Sequence, residues 1–473
     1  MDVHVSLKGR GDLSARIYRQ LLDAVLDGRL RAGERLPPTR EMARRLDVSR
    51  NTVTVAYERL AAEGFLSGRI GAGTFVSGEP LSRIQARRAP AGVVRPRRLW
   101  ESMSILADVQ SVAQPYDLRA GIPDVHLFPL ATWRRLVARQ LRPAAVRSAA
   151  YGEPSGCSAL RTAIARYVGI SRAVRASADD VIVTHGAQQA LDLIGRVLIA
   201  PGDCVAVEDP GYTPARRLFQ SLGAQVIGVP VDGDGLDVSA IPREARLVYV
   251  TPSHQFPLGV PMSLQRRAAL LTWAERRGAV VIEDDYDSEF RFEGRPLDPL
   301  QSLDRGGRVV YVGSFSKVML PMLRLGFLVA PESLQPALRT AKQLADWHVE
   351  LPAQEALARF IDDGLLARHI RKAAREYARR RQRVADALQR DFNAWLHLIP
   401  SVAGLHVAAR VAPGVPVDMD RVIRRAQLSG VAVDDLRRFY SEAPRQAGLV
   451  IGYGAIPTAK VNEGMRRLEA SFR

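Results

Sequence analysis

The chain has 473 residues, 47% of them hydrophobic, enough to build the cores of one small and one large folding unit. Its formal net charge of +17 invites a nucleic-acid partner, but residues 1–78 carry 13 basic and 9 acidic side chains, a net of only +4, so most of the excess lies further along. Two cysteines, Cys157 and Cys204, exclude a disulfide framework, and with no apolar N-terminal core and no apolar run near roughly eighteen residues the protein is expected to be soluble and cytoplasmic, with no membrane partner.

Leu13, Ile17, Leu21 and Val25 recur at helical spacing and stop at Gly28, which predicts a first helix. Beyond Pro37-Pro38, Thr39 can cap a second helix ending near Leu46, and Ser49 can cap a third running from Arg50 to about Glu63. Two short helices joined by a tight turn read as helix-turn-helix. Val53, Tyr57 and Leu60 share one face of the third helix, leaving Arg50, Asn51, Thr52 and Thr54 at its outer N-terminal end. Arginine and asparagine make the bidentate contacts to guanine and adenine in a major groove, so this is a candidate recognition helix for double-stranded DNA. Leu66 and then Arg69 to Val76, with Gly71 and Gly73 at the tip, predict a two-stranded wing. A helical bundle with a solvated polar face is the competing reading. Residues 1–78 thus form the first expected domain. Over 79–115 the periodicity lapses and Arg83, Arg87, Arg88, Arg95, Arg97 and Arg98 cluster around Pro90 and Pro96. That segment is a basic, flexible linker, either a plain tether or one that adds salt-sensitive phosphate affinity.

Residues 116–473 alternate short apolar strands with helices, the strands expected at 181–184, 204–207, 225–229, 247–250, 280–282 and 309–312. Such alternation implies an α/β unit with a mostly parallel central sheet covered on both faces. Thr184-His185-Gly186-Ala187-Gln188 opens a helix directly after a strand, where backbone amides can hold a phosphate. A long amphipathic helix is expected from Asp363 to about Arg390, followed by a small C-terminal subdomain with strands at 405–411 and 449–453 and helices at 417–428 and 458–472.

Lys317 is the chemical centre of this reading. The chain has five lysines; Lys342, Lys372 and Lys460 are expected in polar, helical surroundings and Lys8 in an N-terminal leader, so only Lys317 lies between two expected core strands. A partly desolvated lysine has a depressed pKa and becomes a usable amine nucleophile, although a strand-end lysine can also simply snorkel to solvent. About thirty residues upstream, the apolar run 279–282 ends in Glu283-Asp284-Asp285-Tyr286. Asp284 can hold a pyridine nitrogen protonated, and Tyr286, on the same side of an extended chain, can reach a phenolate oxygen. Lysine, aspartate and tyrosine so arranged suit pyridoxal 5'-phosphate.

In order and spacing, the segments LPPTREMARRLDVSRNTVTVAYERLAAEGFLSGRIGAGTFV, THGAQQALDL, EDPGYTPAR, TPSHQFPLG, VVIEDDYDSEFRFEG and GSFSKVMLPMLRLGFLV resemble the MocR (GabR- and PdxR-like) subfamily of the GntR transcriptional regulators. In that subfamily a winged helix-turn-helix is fused to a fold-type I aminotransferase-like domain. The resemblance implies that Lys317 forms a Schiff base with pyridoxal 5'-phosphate and that Tyr212 stacks on its ring. It implies further that Gly186, Ala187, Gln188, Ser314, Ser316 and Arg324 surround the phosphate, with Tyr151 reaching it from a neighbouring subunit of a head-to-tail, domain-swapped homodimer. In the head it assigns DNA contacts to Arg40, Ser49, Arg50, Asn51, Thr52, Thr54, Arg69, Gly71 and Gly73.

Two departures weaken the aminotransferase pattern. Phe256-Pro257-Leu258-Gly259 stands where aminotransferases carry Asn-Pro-Thr-Gly, leaving His254 or Gln255 as substitutes, and Val450 stands where an arginine would clamp a substrate carboxylate. The leading expectation is a DNA-binding regulator whose body senses the cofactor or a small amine or amino acid, with at most a residual transaminase half-reaction. A competent aminotransferase with a fused DNA-binding head is the alternative, and a cofactor-free dimerisation scaffold a third. No metal site is expected.

Overall fold

The computed structural model describes residues 5–7, 12–69, 71–77, 93–103, 114–146, 150–294, 298–442 and 445–473. The chain divides into two compact units, Met1–Arg97 and Arg98–Arg473. Of the expected linker, residues 79–92 and 104–113 lie outside the described residues, as does Ile70 of the expected wing. Arg98–Ser102, placed in the linker by its arginines, forms a short helix at the start of the second unit.

In the first unit the helices Leu13–Leu26, Thr39–Leu46 and Arg50–Ala62 pack Ile17, Leu21, Val25, Val53, Ala56 and Leu60 into one core. The Asp12 carboxylate caps the first helix by accepting from Ser14 N at 2.9 Å. Two expectations are corrected here. Pro38, which has no side-chain oxygen to offer, takes the cap position of the second helix, and Thr39 is its first residue. The wing sheet has three strands, because Arg35–Leu36 pairs antiparallel with Gly73–Val76, which in turn pairs with Leu66–Arg69. A two-residue strand carries too little alternation to be read from sequence.

The second unit is built on an eight-stranded sheet in the order Val181–Thr184, Gly326–Val329, Val309–Ser314, Val280–Asp285, Ala245–Val250, Cys204–Asp209, Gln225–Asp232 and Gly235–Leu236. The central strands from 309–314 to 225–232 pair in parallel throughout, while Gly326–Val329 runs antiparallel to both its neighbours. Several strands reach two or three residues past their expected carboxyl ends, and that extension carries Asp284 and Ser314 to the rim. Register aligns Ser314 with Gly326 and Gly326 with Thr184, so the carboxyl ends of two strands and the start of a third lie in one row directly under the helix Gly186–Leu198. A Cβ on Gly326 would lie 2.6 Å from the Cα of Gly186, so glycine is what lets the helix start close on the sheet. Gly326→Ala is expected to cost about 1–3 kcal/mol through displacement of that helix start. A lowered melting temperature together with weakened phosphate binding would be the readout.

A second, five-stranded sheet has the order Leu396–Leu398, His406–Val411, Gly448–Gly452, Val431–Asp435 and Tyr116–Leu118. Its edge strand comes from the start of the unit, with Tyr116 paired in parallel to Val431. The 27-residue helix Leu365–Asp391 buries Leu366, Ala373, Tyr377, Val384 and Leu388 at helical spacing. No helix among the described residues is long and apolar enough to cross a membrane.

Candidate functional site

Two sites emerge, one in each unit. In the first, Ser49 Oγ accepts from Thr52 N at 3.1 Å and contacts Thr52 Oγ1 at 2.8 Å, fixing the start of the helix Arg50–Ala62. Arg50 and Asn51 are exposed on its first turn, while Thr54 is half-buried and donates back to Arg50 O at 3.0 Å. The local hydroxyl bonds order the turn. Arg50 Nε also reaches Thr39 Oγ1 at 3.4 Å, tying the two helices of the motif, and Arg40 is exposed beside them. On the wing, Arg69 lies over the Phe75 ring at 5.1 Å, and Gly71 and Gly73 take the left-handed φ values of 74° and 115° that turn the ribbon.

In the second unit, Lys317 sits on the turn after Val309–Ser314 and donates from Nζ to Gly121 O at 2.6 Å. Burial holds its pKa below the usual lysine value against the pull of Asp287 and Asp284, with Arg324 adding to the depression. Asp284, at the end of Val280–Asp285, accepts from the Tyr249 hydroxyl at 2.8 Å through Oδ2. Its other oxygen, Oδ1, is buried without a hydrogen-bond partner. Burial raises the Asp284 carboxyl to about 7, with Asp285 adding to the rise. Its neighbour differs: burial pushes Asp285 up as well, but the Arg172 guanidinium at 2.8 Å and the Tyr311 hydroxyl at 2.7 Å hold it below the usual carboxylate value. Adjacent carboxylates on one strand are thus shifted in opposite directions, one by burial and the other by the groups that face it.

Because Asp284 favours its proton in the folded state, the stability of the cofactor-free protein relative to Asp284→Asn should fall as pH rises from the ordinary 3.8 toward about 7 and level off above. Melting temperatures of the two proteins, compared from about pH 5 to pH 8.5, measure this.

Tyr286 and His254 close another side. The Tyr286 hydroxyl lies 3.0 Å from His254 Nδ1, which also meets the Asp287 carboxylate at 3.0 and 3.2 Å, while His254 Nε2 is 3.2 Å from Ser401 Oγ. Gly404 packs over this pair, since a Cβ there would fall 1.9 Å from His254 Cε1. His406 completes a buried group of three potential metal ligands, with donor atoms of His254, Asp287 and His406 within 4.8 Å of one another. Each already has a partner inside the chain, His406 through the contact of Nε2 with Pro257 O at 3.0 Å. Tyr212 stands at the start of the helix Thr213–Ser221, edge-on to Phe256 at 5.9 Å, and burial raises its hydroxyl to about 12.

Gly186, Ala187 and Gln188 form the first turn of the helix Gly186–Leu198, with amides directed past the ends of the strands. The Arg324 guanidinium lies against Gly186 and donates to His185 O at 2.6 Å. Ser314 ends its strand and accepts from Ser316 N at 3.1 Å. Helix amides, two serines and an arginine at one rim of the sheet make an anion cup, with the lysine and the aspartate further in.

Residues 13–76 match the gntR family of bacterial regulatory proteins, and residues 117–467 match the aminotransferase class I and II family. The probable rhizopine catabolism regulatory protein MocR of Rhizobium meliloti is 37% identical over 97% of this chain and 93% of its own length. The chain belongs to the MocR-type GntR regulators. Another member, the pyridoxine biosynthesis transcriptional regulator PdxR of Corynebacterium glutamicum, is 32% identical over 94% of this chain and 92% of its own. Among solved structures, the kynurenine aminotransferase of Pyrococcus horikoshii, crystallised with PMP, superposes with a TM-score of 0.72 at 28% identity, covering 79% of this chain and 96% of that one.

As a MocR-type regulator the chain has several individual features. The Gln255 amide is engaged by neighbouring backbone: its nitrogen donates to Pro210 O at 2.8 Å and Phe256 O at 2.7 Å, and its oxygen accepts from Leu258 N at 3.0 Å. His254 is the residue that reaches Tyr286. Val450 is fully buried with Leu258, Leu436 and Tyr440. Tyr151 is 73% exposed and stacks on Trp347 at 4.6 Å. Lys342, expected in polar helical surroundings, has a fully buried side chain, but its ammonium is paired with Asp346 one turn away. The Lys317 amine, by contrast, donates to a backbone carbonyl. Sequence reasoning missed Tyr249, Gly121, Arg172, Asp287 and His406. Tyr249 is the one polar tip in the expected strand 247–250 and Asp287 directly follows Tyr286, which are usable signals; Gly121, Arg172 and His406 are brought in by distant segments.

Proposed function

We propose that this chain is a pyridoxal-phosphate-dependent transcription regulator in which occupancy of the Lys317 site sets the affinity of the winged helix for promoter DNA. The observation that carries the proposal is Asp284 Oδ1, a buried acceptor without a partner, in the same site as an amine of depressed pKa and an anion cup. These residues fit pyridoxal phosphate, which when bound supplies an aldehyde for an amine and a protonated ring that withdraws electrons. Asp284 Oδ1 receives the ring N–H, and that positive charge offsets the cost of ionising the buried carboxyl. The Tyr286 hydroxyl, backed by His254 and Asp287, holds the phenolic oxygen. Tyr212 covers one ring face. Ser314, Ser316, Arg324 and the amides of Gly186, Ala187 and Gln188 would hold the phosphate, and Lys317, its pKa lowered by burial, would present the nucleophilic amine.

Use of the body for sensing is favoured over catalytic turnover because buried, apolar Val450 stands where a carboxylate clamp is expected. Exposed Tyr151, stacked on Trp347, is available to reach the phosphate of a second copy in a head-to-tail homodimer. The expected domains are a DNA-binding head over 1–78, a linker over 79–115 and the sensing body over 116–473. Titration of the purified chain with pyridoxal phosphate should saturate at one cofactor per chain. No sustained consumption of an amino acid and 2-oxo acid pair should follow. Absence of cofactor uptake, or continuous turnover, would reject the reading.

A further inference from the structure

We infer that the effector accepted at the Lys317 site is a primary amine whose remaining body carries no negative charge, such as an alkylamine or amino alcohol, and not an amino acid. The inference rests on the cofactor reading above and narrows it to a ligand class.

The charges that act on Lys317 are Asp287, Asp284 and Arg324. Arg324 is drawn to the phosphate end, against Gly186 and the carbonyl of His185. Among the described residues of one chain, the cation acting on Lys317 is therefore committed to the anion cup, and with Asp284 given to the cofactor ring the carboxylate that remains is Asp287. The wall away from the phosphate is aromatic and neutral. Phe256 meets His406 at 5.4 Å and Tyr286 at 6.0 Å, and His254 meets His406 at 4.8 Å. Burial, reinforced by His254 and Lys317, keeps His406 well below the usual histidine value, so it is uncharged. Its Nε2 faces the carbonyl of Pro257, which only accepts, so the single ring proton is on Nε2 and Nδ1 is an acceptor.

Behind this wall Val450, Leu258 and Leu436 form a buried apolar cluster. The arginine on the neighbouring strand, Arg410, pairs with Gly448 while Ala408 pairs with Val450. Two residues along a strand is roughly 7 Å, so Arg410 is offset from the Val450 position by that much. It lines an outer pocket with His397, Pro413 and Gln446.

A ligand carboxylate on this side would be a buried anion facing Asp287 without a counter-charge, Asp284 being taken by the cofactor ring, and such burial is strongly unfavourable. An ammonium is attracted by Asp287 on approach, and a ligand hydroxyl can donate to His406 Nδ1. The site discriminates by what it would leave unpaired.

The test uses the full-length, pyridoxal-phosphate-loaded protein, titrated in parallel with 2-aminoethanol, L-alanine and 4-aminobutanoate while the visible absorbance of the bound cofactor is followed. The expected result is a spectral change with 2-aminoethanol at a Kd at least about tenfold lower than for either amino acid. An amino acid that binds as tightly or more tightly overturns the inference, and loss of that binding in Arg410→Ala would identify the clamp that was misjudged. No response to any of the three also overturns it. A protein that takes up no pyridoxal phosphate fails at the earlier step, so the two failures are distinguishable.

Discussion

Lys317→Ala should abolish the covalent attachment of pyridoxal phosphate completely. Among the described lysines, Lys317 combines burial, a depressed pKa and a hydrogen bond to the carbonyl of Gly121. Burial lowers the Lys342 pKa as well, yet its amine is paired with the Asp346 carboxylate, which pulls the other way and occupies the ammonium. After treatment with borohydride, mass spectrometry of peptides from the wild-type protein should find the cofactor on Lys317, and peptides of the variant should carry none. The variant should still fold, since Lys317 lines the site and belongs to neither of the hydrophobic clusters that flank it. Its melting temperature should remain within a few degrees of the wild type. An adduct on Lys342 or Lys372 would move the chemistry elsewhere.

Replacing both Arg50 and Asn51 by alanine should weaken binding to specific DNA by at least about 30-fold, since each bidentate pairing of a side chain with a base is worth roughly 1–3 kcal/mol. Both side chains are exposed on the first turn of a helix whose start is fixed by Ser49, so the change deletes base-reading groups and leaves the core of Val53, Ala56 and Leu60 intact. Fluorescence anisotropy with a fragment selected from genomic DNA measures the loss of affinity, with exposed Arg277 of the body changed to alanine as the control. Unchanged affinity in the double variant would move DNA reading away from this helix.

The parts of the fold legible in the sequence are those governed by local rules. Apolar residues at helical spacing located Leu13–Leu26 and Arg50–Ala62, a serine in the cap position located the recognition helix, and an apolar run ending in carboxylates located the rim that bears Asp284. What was not legible depends on pairing across long separations. Arg35–Leu36 is a strand only because Gly73–Val76 lies beside it, and Tyr116–Leu118 only because Val431–Asp435 does. The opposite shifts of Asp284 and Asp285 follow from burial that dominates at Asp284 and from Arg172 that overcomes it at Asp285, and no spacing rule connects Arg172 to that strand. Lys342 was misjudged for a related reason: a lysine followed four residues later by an aspartate reads as a solvated helix pair, and only the packing of Gln335–Asp346 buries it.

The link between the two units is tested most directly by the affinity of the full-length protein for its selected DNA fragment, measured with and without pyridoxal phosphate for the wild type and for Lys317→Ala. Reciprocal coupling of typical size, about 1–3 kcal/mol, predicts a shift of roughly five- to 150-fold in the wild type and none in the variant. Equal affinities for the wild type in both conditions would contradict the account and leave a DNA-binding protein whose body does not regulate it.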